Sequence, residues 1–166
     1  GRKSAINACL AEHPNLFCLK ALTKSYGLAG VRIGYGLTAD GVLLSRMASF
    51  VQPWNVSVFA QKAAVAALKE TDFLRRSVEL IKTERDYLTR GLQRSGFYVC
   101  PSDANFLLFR AGEGLDIALR RKGIAIRSCA NFPGLGTGWY RIAVRSHREN
   151  EYLIRAVEQI SAVCSG

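Results

Sequence analysis

One stretch constrains this chain more than any other: ALTKSYGLAGVRIGYG, residues 21–36. Its glycines, Gly27, Gly30, Gly34 and Gly36, permit close backbone approach. Lys24 and Arg32 stand among them in a segment that otherwise reads as apolar and buried. Burial makes an ordinary cation costly, so two of them there ask for a task. A lysine in a dry site loses its proton more readily, and the neutral amine is a nucleophile that condenses with a carbonyl. An arginine keeps its charge and can grip a phosphate through two parallel hydrogen bonds.

An aldehyde and a phosphate occur together on pyridoxal phosphate. Lys24 matches the aldehyde; Arg32, with the Thr23 hydroxyl and backbone N–H groups, matches the phosphate. Spacing alone leaves a second reading open, an exposed turn with two ordinary cations. The G-x-x-x-x-G-K phosphate loop and the G-x-G-x-x-G dinucleotide fingerprint are both absent, because the glycine spacings differ.

Composition bounds the rest. A hydrophobic share of 49% with 22% charged residues is the balance of a soluble globular protein. No apolar run reaches the roughly 18 residues that a membrane span needs, and no signal peptide is read at the start. Cys9, Cys18, Cys100, Cys129 and Cys164 are widely spaced and odd in number, without C-x-x-C. They read as free thiols of a reducing cytoplasm, with no metal site and no disulfide framework. The net charge of +10 raises the question of nucleic acid. The basic residues of 72–95 alternate with Glu79, Glu84 and Asp86 as on a solvated helix face, and no aromatic stacking platform is visible. A small anionic substrate is the more economical partner, with neither nucleic acid nor membrane.

Along the chain, 4–12 reads as a helix end. NLFCLKAL (15–22) and VRIGYGLT (31–38) read as buried strands. Asp40 opens a helix to about Phe50, and Pro53 breaks the chain before an alanine-rich helix from Ser57. Thr71 or Asp72 caps the next helix, whose stripe is Leu74, Val78, Ile81, Leu88 and Leu92, ended by Gly96. Short strands are predicted at FYVC, 105–110, 124–128 and 139–145, with a small helix over 113–122. Ser146 and Glu149 form a capping box for a last helix with the stripe Leu153, Val157 and Ile160. His13 and His147 read as structural or solvent-facing, and Arg145 and Arg148 as surface arginines. The chain divides near residue 70 into a fragment of an α/β sheet (1–70) and an α+β unit (71–166). Two apolar strands cannot make a covered parallel sheet by themselves, so a larger protein is expected.

LTKSYGLAGVRIGYG resembles the cofactor-lysine motif of the class I/II aminotransferases, fold-type I pyridoxal-phosphate enzymes. Thr23, Lys24, Gly27, Leu28, Ala29, Gly30, Arg32 and Gly34 match the pattern. The resemblance implies an α/β chain: the C-terminal part of the aspartate-aminotransferase-like fold, with an α+β small domain. Residues 1–70 are then the remnant of the large cofactor domain with its linking helix, and 71–166 the small domain. It implies pyridoxal 5'-phosphate as cofactor, Lys24 as its lysine, and Thr23 and Arg32 as phosphate ligands.

IRSCANFPGLGTGWYRIAVRSHREN (126–150) is similar to the histidinol-phosphate aminotransferase branch. By that match Arg127 and Arg141 face the anionic groups of a small phosphorylated amino-acid substrate, Arg141 taking the carboxylate. RSCANFPGL with QPWNVS (52–57) most resembles the threonine-phosphate decarboxylases of cobalamin biosynthesis, through Ser128 and Trp54. Three functions follow, in this order: decarboxylation of L-threonine O-3-phosphate, amino transfer from histidinol phosphate, and a non-enzymatic basic module for an anionic partner. The family also implies a cytoplasmic homodimer. About half the enzyme is missing by this resemblance, so the chain alone is expected to be inactive.

Overall fold

The computed structural model describes residues 9–164. The chain divides into two compact units, one up to Arg75 and one from Arg76 onward. The expected helix over 4–12 lies mostly outside the described residues; Cys9 is helical and His13 sits in an exposed turn.

In the first unit, β1 (Cys18–Ala21) runs into a one-turn helix α1 (Leu22–Ser25), and β2 (Gly34–Leu37) follows. The two strands pair antiparallel, from Cys18 opposite Leu37 to Ala21 opposite Gly34. Both are shorter than predicted. Leu22 turns into helix, and Arg32 adopts a left-handed backbone (φ 55°) that delays β2. Nor are they buried strands: Leu19 is 77% exposed, because a two-stranded ribbon offers its faces to cover that the described residues do not supply. The glycines of β2 have a packing reason. A Cβ on Gly34 would lie 2.5 Å from the Lys20 carbonyl, and one on Gly36 would meet the Phe17 ring at 2.2 Å.

Two helices complete this unit. α2 (Gly41–Phe50) is capped by Asp40, whose carboxylate accepts from Val42 and Leu43 N–H at 2.8 and 3.0 Å. α3 (Val58–Lys69) is capped by Ser57, and its Ala60 and Ala64, one turn apart, are buried.

α4 (Thr71–Arg94) contains the division between the units. Thr71 and Asp72 lie inside its first turn rather than capping it, since Glu70 already accepts from Leu74 N–H at 3.4 Å. Its buried stripe is Glu84, Leu88, Gly91 and Leu92; the predicted stripe included Val78, which is 60% exposed. The helix ends as predicted around Gly96. Phe97 N–H bonds the Leu92 carbonyl and Gly96 N–H that of Gln93, with Gly96 left-handed (φ 82°).

The second unit adds β3 (Tyr98–Val99), β4 (Phe106–Arg110), α5 (Leu115–Arg121), β5 (Arg127–Ser128), β6 (Trp139–Ala143) and α6 (His147–Cys164). The strands form one antiparallel sheet in the order β3-β4-β6-β5. The strand predicted over 124–128 is formed only by its last two residues. Alternation sets the faces. Val99, Leu107, Phe109, Tyr140 and Ile142 point into a core shared with Leu88 and Leu92 of α4, Leu115 and Leu119 of α5 and Leu153, Ile154 and Val157 of α6. Tyr98, Phe106, Leu108, Arg110, Trp139, Arg141 and Ala143 occupy the opposite face.

Polar groups in this unit are also paid attention by packing. The Tyr140 hydroxyl donates to the Gly112 carbonyl at 3.2 Å, and burial, aided by nearby Asp116, holds its pKa above the ordinary tyrosine value. Glu84, predicted on a solvated face, is 4% exposed. It lies one turn before Leu88 on the stripe and accepts from Asn150 Nδ2 at 2.9 Å, with His147 Nδ1 3.0 Å away. His147 is thus structural, as predicted.

Candidate functional site

The loop of residues 22–33 joins β1 to β2 and is closed at its base by Leu22 N–H bonding the Ile33 carbonyl at 3.4 Å. Lys24 stands in α1, just past the end of β1; Arg32 stands just before β2. The antiparallel pairing therefore brings both cations to the same end of one ribbon, although they are eight positions apart in sequence. Thr23 is half-buried beside Lys24. Tyr26, in the same loop, stacks on Phe73 with centroids 6.1 Å apart.

The dry setting predicted for the two cations is not observed: Lys24 and Arg32 are both exposed. The apolar neighbours in sequence do not wrap them, because the loop is a turn at a ribbon end rather than the middle of a covered strand. Arg32 makes one hydrogen bond, from Nη1 to the Ala29 carbonyl at 3.3 Å. Its positive φ costs of order 1–3 kcal/mol for a branched-out side chain, a strain of the kind found at binding loops. As a donor set for pyridoxal phosphate these residues fit: one amine with no carboxylate on it among the described residues, one guanidinium with donors to spare, one hydroxyl, all on one short loop.

Arg127 and Arg141 are brought together by the second unit. β5 and β6 pair so that Arg127 lies directly opposite Arg141. Opposed residues of an antiparallel pair project to the same side with Cβ atoms about 4.5–5.5 Å apart, and like charges there repel. Both side chains are exposed, and neither has an ion pair with a carboxylate among the described residues. Each instead lies over a ring, Arg127 over Phe132 with 5.7 Å to the centroid and Arg141 over Phe106 with 5.2 Å. Two such guanidiniums side by side have the charge and the in-plane donors that a small anion needs. Arg145, by contrast, is spent on Glu149 at 2.6 Å, the surface role predicted for it.

The loop between the two arginines is pinned at both ends. Cys129 N–H bonds the Trp139 carbonyl at 2.8 Å and Ala111 N–H that of Gly138 at 2.9 Å, while Thr137 Oγ1 donates to Glu113. Sequence reasoning named both arginines but missed Phe106 and Phe132. Their signal was available in part: Phe106 alternates with Leu108 and Arg110, so it had to share the face opposite Leu107 and Phe109.

Comparison with known proteins agrees with this architecture. The family model for aminotransferase class I and II matches residues 2–160. Histidinol-phosphate aminotransferase 2 of Ralstonia nicotianae is 40% identical over 161 residues, covering 93% of this chain and 42% of that protein. The threonine-phosphate decarboxylase of Salmonella typhimurium is 35% identical over 156 residues, covering 91% of this chain and 43% of that protein. The chain thus spans less than half the length of these relatives. Among solved structures, the histidinol-phosphate aminotransferase of Clostridium acetobutylicum superposes with a TM-score of 0.89 at 32% identity, covering 98% of this chain and 50% of that one.

Proposed function

The chain belongs to the class I and II aminotransferases, a pyridoxal-phosphate-dependent family, and on that premise we propose that the whole enzyme works on a small phosphorylated amine. The observation that carries this reading is the register pairing of Arg127 with Arg141 on the open face of the sheet. A phosphate or carboxylate is the group such a pair is built to receive. Amino transfer from histidinol phosphate is the first reading, supported by the 40% identity to a histidinol-phosphate aminotransferase. This reverses the order that Ser128 and Trp54 suggested.

In this reading Thr23 and Arg32 would hold the cofactor's phosphate, and Lys24 Nζ would hold its aldehyde group. When bound, the cofactor supplies an electron-withdrawing ring that makes bonds at the substrate's Cα easier to break. Arg141 would bind the carboxylate of 2-oxoglutarate or of L-threonine O-3-phosphate, and Arg127 would share the anionic load; histidinol phosphate, which has no carboxylate, would offer the pair its phosphate. Together they would orient the substrate, and orientation decides the reaction. For amino transfer, Lys24 Nζ would be the group that takes the proton from Cα. For decarboxylation, in which the bond from Cα to the carboxylate breaks and carbon dioxide leaves, Lys24 Nζ would be the group that delivers a proton to Cα. The second reading, decarboxylation of L-threonine O-3-phosphate in cobalamin biosynthesis, therefore needs no different residues; it is favoured by Ser128 and Trp54 and by the 35% identity to a decarboxylase. The same reading takes the whole enzyme as a cytoplasmic homodimer.

The test uses the full-length enzyme reconstituted with pyridoxal phosphate. Histidinol phosphate with 2-oxoglutarate should yield glutamate without carbon dioxide. Carbon dioxide from L-threonine O-3-phosphate, with no keto acid needed, would install the second reading instead. Lys24→Ala should abolish either reaction, and substantial residual turnover would remove Lys24 from its role.

A further inference from the structure

Two like charges placed opposite each other need something to hold them in a useful pose before substrate arrives. Carboxylates could do so, but they would cancel the charge and occupy the in-plane donors. The sheet uses rings instead. Arg141 lies over Phe106 and Arg127 over Phe132, and these rings come from different segments, the first residue of β4 and the loop after β5. A ring face attracts the guanidinium through its π-cloud and takes none of the five in-plane N–H donors. Each cation thus has an attractive seat of its own against the mutual repulsion, with its charge and hydrogen-bonding edge intact.

Both rings are held from the backbone. The Phe106 carbonyl accepts from Ser102 Oγ at 2.8 Å, and Val144 N–H bonds the neighbouring Asn105 carbonyl at 2.9 Å. Phe132 N–H bonds the carbonyl of Cys129 at 3.0 Å, and Leu135 N–H bonds the Phe132 carbonyl at 3.1 Å. Neither ring belongs to the core: Phe106 is 38% and Phe132 40% exposed. An apolar ring kept at the surface beside an unpaired arginine, twice on one site, asks for a reason other than burial.

We propose that Phe106 and Phe132 are positioning residues for substrate binding, seating the guanidiniums of Arg141 and Arg127 so that one small anion is gripped by both. This rests on the reading of the arginine pair as the substrate's anion site.

The experiment uses the full-length holoenzyme with histidinol phosphate and 2-oxoglutarate, and inorganic phosphate as a competitive probe. Phe106→Leu and Phe132→Leu should each raise KM and the phosphate inhibition constant about two- to five-fold, the size expected of an exposed cation–π contact. Turnover at saturation should stay within about two-fold, and the thermal midpoint should hold. Phe106→Tyr and Phe132→Tyr, which keep the ring face, should restore both constants. Unchanged constants in the leucine variants would overturn the proposal. So would tyrosine variants that bind as poorly as leucine, because the ring face would then be irrelevant. Arg127→Leu and Arg141→Leu separate the two levels. If they weaken binding while the leucine variants of the phenylalanines do not, only the positioning role falls. If they leave binding unchanged, the anion site itself falls.

Discussion

The two units spend their apolar residues in opposite ways. The second closes thirteen buried side chains around one sheet face, among them Phe109, Leu88, Leu92, Leu119 and Val157 with essentially no exposure. The first buries Cys18, Leu22, Ala60 and Ala64, and leaves Phe50 at 88%, Phe59 at 88% and Trp54 at 96% exposure. Yet the first unit carries Lys24 and Arg32, the residues proposed to hold the cofactor. Packing and proposed chemistry are thus divided: Arg127 and Arg141 sit on a sheet with its own core, while Lys24 and Arg32 sit on a ribbon with very little. In the 166-residue chain the second unit should hold its fold to higher denaturant, and hydrogen exchange should protect β4 and β6 far longer than β1 and β2.

The largest single loss should come from emptying the core of the second unit. Phe109 is fully buried and touches the rings of Phe97 and Tyr140, with centroids 6.0 and 5.8 Å away. Phe109→Ala should cost about 3–5 kcal/mol, read as a fall in the urea midpoint of that unit's transition. A loss below about 1 kcal/mol would mean that the sheet–helix core is looser than its burial implies, and the contrast between the units would collapse.

Next in size is a polar change. Asn150 is 2% exposed, and its amide makes three hydrogen bonds: to Glu84 at 2.9 Å, to the Arg145 carbonyl at 2.9 Å and from Arg145 N–H at 3.2 Å. It joins α4, α6 and the segment after β6. Asn150→Leu takes one of two partners from the buried Glu84 carboxylate, leaving it His147, and strands two backbone groups; it should cost about 2–3 kcal/mol by chemical denaturation. Adding Glu84→Leu should recover part of that, because removing both partners leaves no orphaned charge. A double variant whose loss equals the sum of the two single losses would show that Glu84 acts independently of Asn150.

These two sites mark how much could be read in advance. The alternation of NFLLFR and WYRIAVR already assigns Leu107, Phe109, Tyr140 and Ile142 to one face and Arg141 to the other, since a strand's period is two. The glycines of the lysine motif, set between two apolar runs, pointed to a loop between strands. The bond between Asn150 and Glu84 was illegible: the two stand 66 positions apart, and a lone Glu among arginines looks solvated until the helix face is known. Register was illegible too. Nothing local to IRS or WYRIA says that Arg127 stands opposite Arg141 and not opposite Ala143. The exposure of Lys24 and Arg32 escaped for the reverse reason. Apolar neighbours in sequence read as cover, and in the fold they belong to a ribbon end.

A weaker effect is tied to pH. Ser146 and Glu149 form half of the predicted capping box: Glu149 accepts from Ser146 N–H at 3.2 Å, but the Ser146 hydroxyl donates to the same carboxylate instead of accepting from the helix. That hydroxyl first, and then Arg145, hold the Glu149 carboxyl below its ordinary value. A folded-state pKa that is lowered gives stability present above the unfolded value, about 4.3, and lost as pH falls through the folded one. Glu149→Gln should therefore lower the urea midpoint of the second unit slightly at pH 7, with the difference from the parent fading as pH drops below about 4. A difference that persists at pH 2 would assign the effect to hydrogen bonding by the neutral group.

The smallest effect tests the other half of the contrast. Phe59 has the same side chain as Phe109, and its exposure is 88% against 0%. It stands in the first turn of α3, one residue before buried Ala60. Transfer of its ring to water has already happened in this chain, so Phe59→Ser should change stability by no more than about 0.5 kcal/mol. The Ser57 cap, which accepts from Ala60 N–H at 3.2 Å, is left intact by the change. Run beside Phe109→Ala under the same denaturant, the pair isolates burial from residue type. Equal losses at both positions would mean that Phe59 is covered in solution, and that the first unit packs its apolar face after all.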